Sequence, residues 1–166
     1  MPTTYDAIAT TTLTSNQGTI TFTSISQSYT DLILVFSGKL ATLTATAKCR
    51  INNDSSGSYF QENAAGNGTI TAASTQNGVD GFRLGEVVAG LISTQQTIIM
   101  QFPNYSSGVM KKMCHWRNSS AGSGGEVGFY VGSYNSNTAI TRLDLVEPVR
   151  TWATGTTVTL YGILKA

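Results

Sequence analysis

Charge is what this sequence has least of. Only 11% of its 166 residues are Asp, Glu, Lys or Arg, against about 25% in an average soluble domain. Ten basic and nine acidic residues leave a net charge of +1, and they are scattered. No stripe of Lys and Arg could follow a phosphate backbone, so nucleic acid is discounted as a partner. A net charge near zero also removes the self-repulsion that keeps chains apart, which favours lasting association with another surface.

Histidine and cysteine are nearly as scarce. The single histidine, His115, follows Cys114. Neighbours in a strand point to opposite faces, so these two diverge and cannot form a nucleophile–base dyad. One histidine, with no Gly-X-Ser-X-Gly elbow anywhere, leaves no triad for a serine hydrolase. Cys49 and Cys114 have no partner at a metal spacing, and they read as small buried hydrophobes with free thiols. The carboxylates stand singly. Asp31 and Asp144 lie beside apolar strand residues and read as a strand-end cap or as a partner for an arginine such as Arg142. Asn52-Asn53-Asp54 reads as a turn before it reads as a calcium clip. Gly122-Ser123-Gly124-Gly125 lacks the Gly-Lys-Ser/Thr ending of a phosphate loop and reads as a hairpin loop. These residues predict no enzyme, no cofactor and no metal.

No apolar run approaches the roughly 20 residues of a membrane span, and the stretch Met1 to Asp6 has neither the basic run nor the apolar core of a signal peptide. A soluble chain made in a cytoplasm is the expectation, with no membrane partner. On that expectation the Asn-X-Ser/Thr triplets at Asn53, Asn67, Asn104 and Asn118 follow from the abundance of Ser and Thr rather than from glycosylation. Helical stripes are missing as well. The best helical candidate, Phe82 to Ile92, is interrupted by Gly85 and Gly90.

What fills the space is Ser and Thr, about a quarter of the chain, and an apolar period of two. Gly18 to Ile25 alternates Ile20 and Phe22 against threonines, with Ser15-Asn16-Gln17-Gly18 as a turn, so a hairpin with Tyr5 to Leu13 is expected. Leu32-Ile33-Leu34-Val35-Phe36 reads as a central strand buried on both faces. Further strands are expected over Ala45 to Asn52, from Tyr59 and Phe60 onward, and over Thr97 to Phe102, Val109 to Arg117, Glu126 to Val131, Ile140 to Val146 and Thr156 to Leu164. Ala64 to Gly81 reads as a long loop or a weak edge hairpin. The three prolines, Pro2, Pro103 and Pro148, stay out of strand interiors, where a missing N–H would break a ladder. A strand every 8 to 14 residues or so is the spacing of a sandwich or barrel, not of βαβ units. The expectation is all-β: an antiparallel β-sandwich domain spanning residues 1–166, about ten short strands, little or no helix. A chain of this length buries roughly 70% of the surface its unfolded form exposes and needs no staples. Tyr105, Tyr134 and Trp152, in expected loops or strand ends, are the candidate partner or glycan contacts, set against the plainer reading of aromatics that close the ends of a sandwich.

Several stretches taken together carry a family likeness. Tyr5-Asp6-Ala7-Ile8-Ala9, then Thr21-Phe22-Thr23-Ser24-Ile25 and Tyr29-Thr30-Asp31-Leu32-Ile33-Leu34-Val35, then Arg50-Ile51-Asn52-Asn53-Asp54 with Ser58-Tyr59, and the closing Thr159-Leu160-Tyr161-Gly162-Ile163 occur in order. Their pattern resembles a module of small virion structural proteins of tailed bacteriophages, cyanophages among them. That resemblance implies a jelly-roll-like sandwich, often a homotrimer, located on the virion after synthesis in the bacterial host cytoplasm. There it would act as a capsid decoration (cement) protein bound to the major capsid protein or other virion proteins. The alternative it implies is a tail-fibre head recognising a host surface glycan. The resemblance brings no catalytic residues with it. A carbohydrate-binding accessory module or lectin shares the same architecture.

Overall fold

The run Leu32 to Phe36 shows how the sequence becomes a layer. In a computed structural model, which describes residues 4–42, 47–85, 94–121 and 125–164, it lies in strand β3, Asp31–Gly38. Leu32, Leu34 and Phe36 are buried in the core, while Ile33 and Val35 are half-buried on the opposite face. The strand is therefore not buried on both sides as expected. It has a core row and an outer row, because a pleated strand sends alternate side chains to opposite faces and only one face is covered by a second sheet.

The other strands obey the same rule. They are β1 (Tyr5–Thr12), β2 (Thr19–Phe22), β4 (Lys48–Ile51), β5 (Tyr59–Gly66), β6 (Thr71–Val79), β7 (Phe82–Arg83), β8 (Gln96–Pro103), β9 (Lys112–Ser120), β10 (Val127–Tyr134), β11 (Leu143–Val146) and β12 (Thr157–Ile163). Among the described residues there are twelve strands rather than about ten, and no helix long and apolar enough to cross a membrane. The surplus comes from β6 and β7. Of the two readings of Ala64 to Gly81 the edge hairpin holds: Ala64 to Gly66 end β5, and Thr71–Val79 return beside it as β6. Phe82, the start of the helical candidate, belongs to a two-residue strand, and residues 86–92 of that candidate lie outside the described residues.

An eight-stranded sheet runs in the order β1-β12-β3-β8-β9-β10-β5-β6, and a four-stranded sheet in the order β2-β11-β4-β7. All pairings within them are antiparallel. From β1 to β5 the chain changes sheet at every step, and the result is a jelly-roll-like sandwich. This crossing overturns the expected hairpin of Tyr5–Leu13 with Gly18–Ile25. β1 pairs with β12, from Tyr5 opposite Ile163 to Thr12 opposite Thr157, while β2 pairs with β11 in the other sheet. Threonine ladders support the β1–β12 choice, Thr10 with Thr159 at 3.1 Å and Thr12 with Thr157 at 3.0 Å. The turn after Leu13 is held across the sandwich by the backbone of Gln17 and Trp152.

Between the sheets lies one cluster of buried side chains, drawn from β3, β8, β9, β10 and β12 on one side and from β2, β4, β7 and β11 on the other. Asp144 is buried on β11, on the face opposite the core residues Leu143 and Leu145. Arg142 donates to it from Nε at 2.9 Å and Nη2 at 2.8 Å, and Thr21 Oγ1 donates at 2.7 Å. Asp31 caps the strand end, accepting from the Asn104 N–H at 3.0 Å. Both carboxylates therefore have the structural roles expected of them. Asn52 and Asn53 take the left-handed conformation, φ 53° and 58°, that asparagine tolerates in tight turns. Asn52 Oδ1 then accepts from the N–H groups of Thr141 and Arg142.

Candidate binding face

The outer face of the eight-stranded sheet is where apolar side chains meet solvent. β10 reads Val127-Gly128-Phe129-Tyr130-Val131-Gly132-Ser133-Tyr134, and its exposure alternates strictly over the first six residues. Val127, Phe129 and Val131 are 66%, 57% and 42% exposed. The glycines between them explain the asymmetry. A Cβ on Gly128 would lie 2.6 Å from the Tyr130 ring, and one on Gly132 would lie 2.5 Å from the Phe82 ring. Space beneath the strand is given over to aromatics, and the bulk of β10 is pushed outward.

Those aromatics form a floor. Trp116 and Tyr130 stack with centroids 5.1 Å apart and planes 9° apart. Phe82 packs on Trp116 at 5.4 Å, and Tyr59 meets the edge of Phe82 at 5.1 Å and lies 4.8 Å from Tyr134. Contacts of this kind contribute beyond the area they bury, so the outer face rests on a rigid support.

Register places the outer residues in rows. Phe129 sits opposite Ala64 on β5 and Arg117 on β9, with Ala73 and Ile99 one strand further out on each side. The next row runs Glu62, Val131, His115, Gln101, Ile33. Three hollows follow. A shallow open depression of about 750 Å³ is lined by Ala64, Thr71, Ala73, Arg117, Val127 and Phe129. Phe60, Met113 and Val131 line a second, of about 200 Å³. The third, also about 200 Å³, is more polar and holds Gln101, His115 and Arg117 beside Tyr5, Ile99 and Phe129. There His115 Nε2 lies 3.2 Å from Gln101 Oε1, and Gln101 Nε2 donates to Asp31 Oδ2 at 3.4 Å.

None of the three aromatics expected at the surface is there. Tyr105 and Trp152 are 0% exposed and Tyr134 is 5%. Tyr105 donates its hydroxyl to the Ser26 carbonyl. Tyr134 donates to Asp54 Oδ2 at 2.8 Å, and burial followed by the Asp54 carboxylate pushes its pKa up to about 12. Trp152 packs on Phe36 at 5.0 Å, and its Nε1–H donates to the Leu145 carbonyl at 3.3 Å. Lying near a turn did not expose these rings. Each closes a gap in the sandwich and satisfies its polar tip inside, so the plainer reading of them holds.

Cys114 lies buried on the inner face and His115 on the outer, as their adjacency in a strand requires. Burial, and secondarily each thiol's neighbours, raises the pKa of both cysteines, and both are free. No group of three or more His, Cys, Asp or Glu stands together among the described residues. Asp54, the acid of the calcium candidate, is spent on the Ser56 N–H and the Tyr134 hydroxyl. Asn118 is buried beneath the sheet, so its triplet cannot carry a sugar. The Gly122 to Gly124 stretch lies outside the described residues.

The face itself escaped sequence reading, although a signal was present. Alternating glycines in Val127 to Ser133 mark the side that must be narrow. The other side, apolar from Val127 to Val131, is then the exposed one.

No protein-family model matches the chain, and no curated protein matches it. Solved structures give distant likenesses. The galectin LEC-6 of Caenorhabditis elegans is 9% identical, with 98% of this chain and 96% of that one covered and a TM-score of 0.37. A protein of unknown function from Shewanella oneidensis is 6% identical, with 86% and 63% covered and a TM-score of 0.23. The heptameric SAP-like pentraxin of Limulus polyphemus is 7% identical, with 92% and 87% covered and a TM-score of 0.24.

Proposed function

We propose that this chain is a bacteriophage virion structural protein that decorates the capsid, gripping the major capsid lattice through the outer face of its eight-stranded sheet and catalysing no reaction. The carrying observation is the apolar stripe Val127, Phe129 and Val131, set on a stacked aromatic floor in a chain whose composition is otherwise neutral and hydroxyl-rich. Contiguous exposed apolar surface of this kind marks a contact with another macromolecule. The sequence resemblance to small phage virion proteins supplies the lattice as the partner. A rigid sheet also suits a permanent contact, because little ordering is left to be done on docking.

Imaging of purified virions tests the location. Density for the domain repeated over the capsid shell is expected, with the β10 face against capsid subunits, and density confined to the tail would refute decoration. Phe129→Asp is expected to abolish occupancy on particles while leaving the fold intact.

One observation favours a second reading, a tail-fibre head that recognises a host surface glycan. The hollow of Gln101, His115 and Arg117 flanked by Tyr5 and Phe129 offers hydrogen-bonding groups beside aromatic rings, the pairing a sugar needs. Binding of host glycans lost on Gln101→Ala and His115→Ala, with no capsid occupancy, would move the assignment there.

A further inference from the structure

Sheet edges are templates for pairing, and proteins that stay monomeric protect them with short strands, bulges, charge or proline. The two sheets have four edges. β2 is four residues long and β7 two, too short to template much. β1 is interrupted by a bulge between Ala7 and Ala9 and carries Asp6, whose Oδ2 accepts from the Tyr29 hydroxyl at 2.7 Å. β6 is neither short, charged nor interrupted by proline, and it has a bulge only at one end. It is nine residues long, Thr-Ala-Ala-Ser-Thr-Gln-Asn-Gly-Val, with no charge and no proline. Its one irregularity lies at the far end, opposite Tyr59 and Phe60, so Thr71 to Asn77 pair regularly with β5. Among the described residues β5 is its only strand neighbour.

We propose that β6 is a pairing strand and that its occupant is a second copy of this chain, docked antiparallel about a two-fold axis so that two eight-stranded sheets become one of sixteen. The chemistry selects this occupant. A row of main-chain donors and acceptors is complemented by another strand, and an uncharged strand meets no like charge when it pairs with itself. Glu62 of β5 reaches onto β6, where its Oε2 accepts from Thr75 Oγ1 at 2.7 Å, so that carboxylate is engaged within its own chain. Closure also selects it. After β6 meets β6 the exposed ends of the joined sheet are two β1 strands, each guarded by its bulge and Asp6, and the assembly stops at two. A ring of three would have to lay β6 on the β1 of the next chain, against that bulge and carboxylate. The depression that contains Phe129 reaches Thr71, Ala72 and Ala73 on β6. Pairing therefore sets two such hollows side by side and doubles the width of the binding face. The inference does not depend on the capsid reading, since the dimer would form in purified protein.

Light scattering and native mass spectrometry from about 1 to about 100 μM, the range over which a micromolar association shows, test it. The expected mass is about 35 kDa, twice the 17.6 kDa chain. Ala73→Lys with Thr75→Lys, both at exposed positions, places like charges across the two-fold and is expected to weaken association at least tenfold without moving the monomer's melting temperature. The same lysine pair at Thr10 and Thr12 on β1 should leave the dimer intact. Hydrogen exchange of the β6 amides should be slow in the dimer and fast on dilution or in the β6 variant. A wild-type chain that stays monomeric at the top concentration overturns the proposal, as does an oligomer of any size that survives the β6 lysines. Capsid occupancy lost with the dimer intact would instead count against the capsid reading alone.

Discussion

Replacing Gly132 by alanine adds one methyl group and should be felt throughout the aromatic floor. The new Cβ would lie 2.5 Å from Phe82 Cε1, 2.9 Å from Cδ1 and 3.0 Å from the Phe60 carbonyl oxygen, where ordinary contact begins near 3.4 Å. The Phe60 oxygen is backbone in the β5–β10 ladder and cannot retreat. Phe82 is fully buried, with Tyr59 at its edge and Trp116 against its face, so its ring cannot swing away without displacing two others. Overpacking of this type costs about 1 to 3 kcal/mol. At about 2–4 °C per kcal/mol for a chain of this length, the melting temperature should fall by about 2 to 12 °C. Phe82→Leu alone costs about 1 to 2 kcal/mol through the cavity it leaves. In the double variant that cavity receives the methyl, so the two losses should be sub-additive by at least about 0.5 kcal/mol. Denaturant melts of the four proteins measure this. A Gly132→Ala melt within a degree of wild type, or strictly additive losses, would refute the account of why β10 carries glycine on its inner face.

Other buried groups make comparable demands. Lys112 is 1% exposed, and its ammonium donates to the carbonyls of Ser107, Met110 and Asn137. Burial lowers its pKa, so the folded chain is penalised while the amine is charged and recovers as pH rises from the depressed value toward the ordinary one near about 10.4. Denaturant melts at neutral and alkaline pH should show that recovery in wild type and not in Lys112→Met, which should also lose about 1 to 3 kcal/mol at pH 7 from carbonyls left unpaired. For Asp54, burial alone would raise the pKa, but hydrogen bonds from Ser56 and Tyr134 outweigh it and the value is lowered. Its contribution is then present above the unfolded value and lost as pH falls through the folded one. Tyr134→Phe should accordingly be less stable than wild type at pH 7 and approach it in acid, and a carboxyl titration by NMR should show Asp54 moving up. Both cysteines are buried with raised pKa values. A thiol reagent should label neither in the native protein and both in denaturant; native labelling would contradict the packing.

Period and punctuation carried the fold class in the sequence. Alternation in β3, β8, β9, β10 and β12 sits where the strands are, and Pro103 and Pro148 mark the ends of β8 and β11 within two residues. Pairing was less legible. The turn at Ser15 to Gly18 suggests a local hairpin, whereas the chain crosses to the other sheet, because the threonines of β1 find their ladder on β12, about 150 residues away in sequence. Nothing local encodes that choice. β6 was half legible: its small polar residues suit a loop, and it becomes a strand only because β5 offers a neighbouring edge. The binding face was the least legible part. Sequence position flagged Tyr105, Tyr134 and Trp152, yet exposure is decided by which gap a ring fills, and all three found one.

β10 builds the core with one set of side chains and the proposed contact face with the other. Val127, Phe129 and Val131 have exposed surface and no core neighbours to lose, so their replacement by serine should shift stability by no more than about 0.5 kcal/mol and act on binding. Tyr130, stacked on Trp116 and fully buried, should do the reverse: Tyr130→Ala removes a large ring and should cost about 3 to 5 kcal/mol, with binding lost only in proportion to unfolding. A scan of residues 127 to 131 would then give two alternating profiles, binding losses at the odd positions and melting losses at the even ones. If the even positions governed binding in proteins that remain folded, or the odd ones governed melting, the strand would face the other way, and the outer face could not be the proposed contact surface.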